Sequence, residues 1–166
     1  MITLVLGGAR SGKSAVAERL AASRSASVTY LATADADPDD RDFLERIEWH
    51  RARRPSTWTT IEAGAQLTAH LGAVEGTVLV DALGTWVAAH DGFDVDLDAL
   101  VAALATRAGD TVVVSEEVGL GVHPSTGIGG RFRDALGLVN QRVADTADRV
   151  LLVVAGRVLP LDRSPW

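Results

Sequence analysis

Apolar residues fall along this chain in two rhythms. Short, nearly unbroken runs, Ile2-Thr3-Leu4-Val5-Leu6, Val28-Thr29-Tyr30-Leu31-Ala32, Thr77-Val78-Leu79-Val80 and Thr111-Val112-Val113-Val114, are rich in β-branched residues and predict strands buried on both faces. Between them apolar positions recur at helical spacing. Residues 15–20 read as a helix, as do a segment through Leu67 and Leu71, residues 82–89, and residues 96–106 with Leu97, Leu100, Val101 and Leu104 facing inward. Phe132, Leu136, Val139 and Val143 predict a long helix opened by Arg131 and Arg133. Residues 57–62 suggest a further short strand, and residues 149–154 with 158–161 a closing hairpin around Ala155-Gly156-Arg157. Asp39 or Asp40 is placed to cap a helix through Phe43, Leu44 and Ile47 to about Arg53, which Pro55 stops.

Strands alternating with helices predict an α/β fold of three layers, with a mostly parallel sheet and an antiparallel edge at the C-terminal hairpin. No repeat or interdomain linker interrupts the pattern, so the 166 residues read as one domain, 1–166. In such a sheet ligands collect at the C-terminal ends of the strands, where Lys13, Thr33, Asp81 and Glu116 or Glu117 would meet.

The first strand runs into Gly7-Gly8-Ala9-Arg10-Ser11-Gly12-Lys13-Ser14 and then into a helix. Glycines at both ends let the backbone wrap a phosphate with its N–H groups, the helix adds its positive end, and Lys13 and Ser14 address the terminal phosphates and Mg²⁺. This is the P-loop pattern of nucleotide-binding proteins, and it makes the fold P-loop NTPase-like; the plain alternative is a glycine turn capped by Ser14. Lys13 is the chain's one lysine, the other fifteen basic residues being arginine. A compact ammonium fits between phosphate oxygens where a planar guanidinium does not. Asp81, ending a buried strand, is placed to hold Mg²⁺ with Ser14; it is equally placed to cap the next helix.

Composition narrows the classes. A net charge of −6 and a pI near 5.1 argue against a general nucleic-acid surface. Without cysteine there is no disulfide framework and no thiolate metal site, and no apolar run reaches membrane-spanning length, so a cytoplasmic protein without membrane insertion is expected.

Arg46, His50, Arg53 and Arg54 share one face of the expected 39–53 helix, at i, i+4, i+7 and i+8. The stripe is either an exposed arginine face or one turned to a polyphosphate. His70 and His90 lie near predicted helix ends, where an imidazolium suits the dipole, and His123 lies in the glycine-rich 119–130 connection. Only His50 sits among arginines, where a neutral imidazole is a competent nucleophile at phosphorus. Arg131 and Arg133, and Glu117 across the same connection, are candidates for substrate or phosphate contact.

Several motifs then occur together in order: the 7–14 loop, Arg46-Ile47 with His50, Arg54-Pro55 with Trp58, Thr60 and Glu62, Glu117-Val118-Gly119 with Gly121, and Phe132-Arg133-Asp134 with Asn140-Gln141. Over about residues 2 to 160 the chain resembles the bifunctional adenosylcobinamide kinase/adenosylcobinamide-phosphate guanylyltransferase family of cobalamin biosynthesis. The resemblance implies two reactions. ATP or GTP phosphorylates the aminopropanol hydroxyl of adenosylcobinamide, and GTP then guanylylates a histidine that passes GMP on to give adenosylcobinamide-GDP. By position it makes His50 that nucleophile and Lys13 a catalytic residue. It assigns Gly7, Gly8, Ala9, Arg10, Ser11, Gly12, Lys13 and Ser14 to nucleotide phosphates, and Thr33, Ala34, Asp35, Arg51, Ala52, Arg53, Arg54, Glu62 and Asp81 to GTP. It also implies a homo-oligomer, specifically a trimer. One departure stands out: Glu116 occupies a position where the family pattern carries Asn. The chain is also short around residues 34–42 and 88–96. A kinase without guanylyl transfer and a non-enzymatic nucleotide switch are the rival expectations, and the kinase base is open between Glu117, Asp81 and the substrate itself.

Overall fold

The computed structural model describes residues 1–34, 41, 52 and 54–163. Among these, β1 (Ile2–Gly7), β2 (Val28–Ala32), β3 (Thr59–Glu62), β4 (Thr77–Asp81), β5 (Thr111–Glu116), β6 (Arg149–Val154) and β7 (Arg157–Leu161) form one sheet in the order β3-β2-β4-β5-β1-β6-β7. All neighbours run parallel except β6 and β7.

Strand side chains alternate between faces, and the two cores divide accordingly. Val5, Tyr30, Leu79, Val112 and Val114 point to one face, where Val16, Ala17 and Ala21 of α1 (Lys13–Arg24) cover them. Small residues on α1 allow it to lie close to the sheet. Leu4, Leu31, Val78, Val80 and Val113 point the other way. There they meet α2 (Leu67–Ala73), α3 (Leu83–Ala88), α4 (Leu97–Thr106) and α5 (Gly127–Thr146), through Leu71, Trp86, Leu100 and Leu136. Each such side chain, fully buried, contributes about 1.5–3 kcal/mol of transfer free energy. The expected three-layer arrangement and antiparallel edge are both present.

Element starts differ from the sequence expectation in two places. β3 begins at Thr59, and a 3-10 turn, Gly64–Gln66, precedes α2. α5 begins at Gly127, so Arg131 and Arg133 lie in its second turn and do not open it. Glycine disfavours helix by about 1 kcal/mol per residue. Here the Thr126 hydroxyl caps the helix by accepting from Gly129 N at 3.2 Å, and the apolar face from Phe132 onward packs on the core. The 39–53 helix lies outside the described residues. Among those described, no helix is long and apolar enough to cross a membrane.

Candidate active site

β1 ends at the buried Gly7, whose carbonyl accepts from Glu117 N at 3.1 Å. A Cβ there would overlap Ser11 Oγ and come within 2.8 Å of Val153 O, so the chain leaves the sheet through a position only glycine fills. Arg10 (φ 55°) and Gly12 (φ 92°) are left-handed, which curls residues 8–12 into a loop ending at the first turn of α1. Ser11 N donates to Gly8 O at 3.3 Å, and Ser11 O accepts from Gly156 N at 2.8 Å. Gly156 lies in the β6–β7 turn, where Ala155 (φ 50°) and Gly156 (φ 74°) give the two positive φ angles of a tight hairpin. The Ser11 hydroxyl oxygen is buried and the one such side-chain atom without a hydrogen-bond partner among the described residues. An orphan polar atom inside a cradle at a helix N-terminus suits an anion that completes it. A cleft of about 450 Å³ opens beside the loop, bounded by residues 8–11, by Glu117, Val118 and Leu120, and by the end of β6.

Two strands away, Asp81 ends β4. Its Oδ1 lies 3.4 Å from Ser14 Oγ, and its Oδ2 accepts from the Tyr30 phenol at 2.8 Å. The helix after it is capped at Ala82 with no side-chain bond, so Asp81 does not serve as that cap. The Asp81–Ala82 peptide is cis. Tyr30 is buried, and burial first, then the Asp81 charge, push its phenol well above the ordinary range. Arg54 covers the Tyr30 ring with its guanidinium carbon 3.7 Å from the centroid, and donates to Thr60 Oγ1 at 2.9 Å. A hydroxyl and a carboxylate facing each other beside a phosphate loop are hard oxygen donors. That fits Mg²⁺, which takes one or two protein oxygens and fills its shell with water and phosphate.

Thr33 is fully buried, and its hydroxyl is engaged by Ala82 N at 2.9 Å, Ala82 O at 2.5 Å and Thr85 Oγ1 at 2.7 Å. It braces the turn behind Asp81. Lys13 Nζ lies 3.4 Å from Gly8 O and 3.5 Å from Glu116 Oε1. The second Glu116 oxygen accepts from Gly84 N at 3.1 Å. The carboxylate therefore spans from the P-loop to the start of α3.

The family of cobinamide kinase / cobinamide phosphate guanyltransferase matches residues 3–161. The chain belongs to this family. It is 40% identical to the bifunctional adenosylcobalamin biosynthesis protein CobP of Pseudomonas aeruginosa over 99% of both chains. It is 34% identical to the bifunctional adenosylcobalamin biosynthesis protein CobU of Escherichia coli, over 94% of this chain and 97% of that one. The family is thus named for two transferase activities, and both relatives are named as bifunctional. In fold it is similar to a prototypical ATPase from the type III secretion system of pathogenic bacteria, with a TM-score of 0.56 at 11% identity. That match covers 91% of this chain and 50% of the ATPase.

Within this member of the family the structure gathers Gly7 to Ser14, Asp81 and Glu116 around one loop, with Arg54 joined to Asp81 through Tyr30. Ala34 follows β2, and the exposed Glu62 ends β3 level with Ala32. Glu117 lines the cleft and accepts from Gly119 N at 2.7 Å. Arg131 is exposed, Arg133 pairs with Asp134 at 2.9 Å, and neither lines the cleft. Ala52 is exposed. Asp35, His50, Arg51 and Arg53 lie outside the described residues. His90 packs edge-on to Trp86 with Nδ1 2.8 Å from Trp86 O, a structural engagement. Sequence reading missed Tyr30 and Gly84. A lone tyrosine inside an apolar strand is the signal for the first, since a buried phenol requires a partner.

Proposed function

We propose that this chain catalyses both reactions for which its family is named, as one domain spanning residues 1–166. In the first, the aminopropanol hydroxyl of adenosylcobinamide attacks the γ-phosphorus of ATP or GTP. The bond to the β–γ bridging oxygen breaks, nucleoside diphosphate leaves, and the hydroxyl proton is lost. In the second, a His50 ring nitrogen attacks the α-phosphorus of GTP and pyrophosphate leaves. A phosphate oxygen of adenosylcobinamide phosphate then attacks the GMP phosphorus, breaks the P–N bond and gives adenosylcobinamide-GDP.

The observation that carries the reading is the convergence of Lys13, Ser14 and Asp81 on one glycine loop, in a chain matched to the family from residue 3 to 161. Residues 7–14 hold the phosphates, with Lys13 stabilising charge that builds on the transferred group. Ser14 and Asp81 would hold Mg²⁺, which when bound offsets phosphate charge. Dividing guanylyl transfer at His50 replaces one difficult displacement by two easier ones. The reading includes a homo-oligomer, a trimer by family resemblance, which sedimentation equilibrium measures.

The deciding experiment incubates wild type and His50→Ala with Mg²⁺ and GTP labelled at the α-phosphate. An acid-labile, alkali-stable protein adduct in wild type and none in the variant is the expected result. Absence of label from wild-type protein that binds GTP would remove the guanylyl-transfer step and leave a kinase.

A further inference from the structure

Glu116 ends β5 level with Gly7 at the end of β1, and its two carboxylate oxygens face different parts of the site. Oε2 accepts from Gly84 N at 3.1 Å, near the start of α3. A Cβ on Gly84 would overlap that oxygen, so the close approach depends on glycine. Oε1 faces the Lys13 ammonium at 3.5 Å. The Glu116 backbone is fixed as well: its carbonyl accepts from Asn140 Nδ2 at 3.0 Å, and the buried Asn140 accepts from Ser115 Oγ at 2.6 Å. Lys13, with its side chain 11% exposed, otherwise contacts Gly8 O in its own loop.

We propose that Glu116 is a positioning residue that holds Lys13 back in the nucleotide-free protein, so that a nucleoside triphosphate binds by drawing the ammonium away from it. The proposal rests on the nucleotide-site reading of residues 7–14. An ammonium is a single point charge, and a phosphate chain competes with the carboxylate for it. The phosphates carry more charge and more oxygens and win, but the measured affinity is reduced by what the ion pair contributes. For a partly exposed pair that is roughly 2- to 5-fold. An Asn at this position would have no charge with which to compete.

Because Lys13 is the chain's one lysine, its ε-amine can be followed alone. The first arm measures acylation of Lys13 by acetic anhydride without nucleotide, read from the mass of the peptide that contains it. The comparison is wild type against Glu116→Gln and Glu116→Asn, each checked by thermal melting. Removing the carboxylate takes away the partner that holds the Lys13 ammonium, leaving it more available to the reagent, and acylation rises roughly 2- to 5-fold. The second arm measures Mg-GTP and Mg-ATP dissociation constants by calorimetry for wild type, Glu116→Gln, Lys13→Ala and the double variant. Glu116→Gln tightens binding roughly 2- to 5-fold when Lys13 is present and leaves it unchanged when Lys13 is absent. Unchanged acylation in both Glu116 variants overturns the proposal. Equal tightening in both Lys13 backgrounds also overturns it, since that is repulsion by Glu116 acting on the phosphates directly. Failure of wild type to bind either nucleotide rejects the nucleotide-site reading itself and the proposal with it, whereas binding that ignores Glu116 rejects the proposal alone.

Discussion

Tyr30 and Asp81 sit on neighbouring strands and share one short hydrogen bond, the phenol donating to Oδ2 at 2.8 Å. The bond orients a carboxylate whose other oxygen faces Ser14, and it adds to burial and the Asp81 charge in favouring the protonated tyrosine. Both partners belong to the wall of the site that faces α1.

Tyr30 is the chain's one tyrosine, so absorbance at 295 nm reads its ionisation alone. Burial and Asp81 raise its folded pKa above the unfolded value of about 10. The contribution to stability is therefore fully present below pH 10 and is lost as pH rises beyond it, by up to ~1.4 kcal/mol per pH unit. In Mg²⁺-free, nucleotide-free buffer the phenolate signal will appear only with unfolding, and Tyr30→Phe will show a flatter alkaline stability profile. A reversible titration near pH 10 in folded protein would contradict this.

Lys13→Ala will lower the kinase kcat by about 10²-fold or more, since it removes a cation aimed at transition-state charge. Asp81→Asn will raise the Mg²⁺ concentration for half-maximal kinase rate by about tenfold, the loss expected of one charged contact. Initial rates across a Mg²⁺ series measure both. An unchanged Mg²⁺ requirement in Asp81→Asn would remove Asp81 from the metal site.

Gly84→Ala sets two effects against each other. Alanine favours helix by about 1 kcal/mol, while its Cβ displaces the Glu116 carboxylate. Overall stability will change by less than about 1 kcal/mol, yet Lys13 will acylate faster as its ion partner shifts. Urea unfolding and peptide mass together check this, and a Lys13 reactivity identical to wild type would count against it.

Arg107 ties the end of α2 to the sheet: Nη1 donates to Leu71 O at 3.0 Å and to Val74 O, Nη2 to Gly76 O at 2.6 Å, and Nε to Thr111 Oγ1 at 3.1 Å. Arg107→Ala leaves several carbonyls without their donor and will cost about 2–3 kcal/mol in urea unfolding. Arg107→Lys will recover only part of this, because an ammonium lacks the fork that reaches all of them. A loss below about 0.5 kcal/mol would show that water replaces the guanidinium.

What was legible in the sequence is what local chemistry dictates. Gly7 and Gly12 announce the loop because a Cβ would overlap neighbouring atoms at one, and a positive φ at the other strains any side chain. The strands announce themselves because both faces are buried, so the runs are continuous. That a glutamate of the 116–117 pair would meet Lys13 was legible, but which one, and the bonds of Tyr30 and Glu116, were not, since they depend on register between strands far apart in sequence, Ala32 beside Asp81 and Gly7 beside Glu116. Thr33 illustrates the same limit: the bonds of its hydroxyl to Ala82 and Thr85 bridge residues 49 and 52 positions apart and leave no mark in the local sequence. At α5, glycine-rich composition reads as loop because the Thr126 cap and the packing of Phe132 are not visible in propensity.

The hydrogen bond from Gly156 N to Ser11 O joins the glycine loop to a turn far from it in sequence. β6 and β7 supply that turn, and β6 pairs directly with β1. A chain still on the ribosome and lacking this hairpin has the glycine loop in its sequence but not the backbone that closes behind it. Until translation has passed residue 156, the Ser11 carbonyl has no Gly156 donor behind it, and this closure of the loop awaits that hairpin.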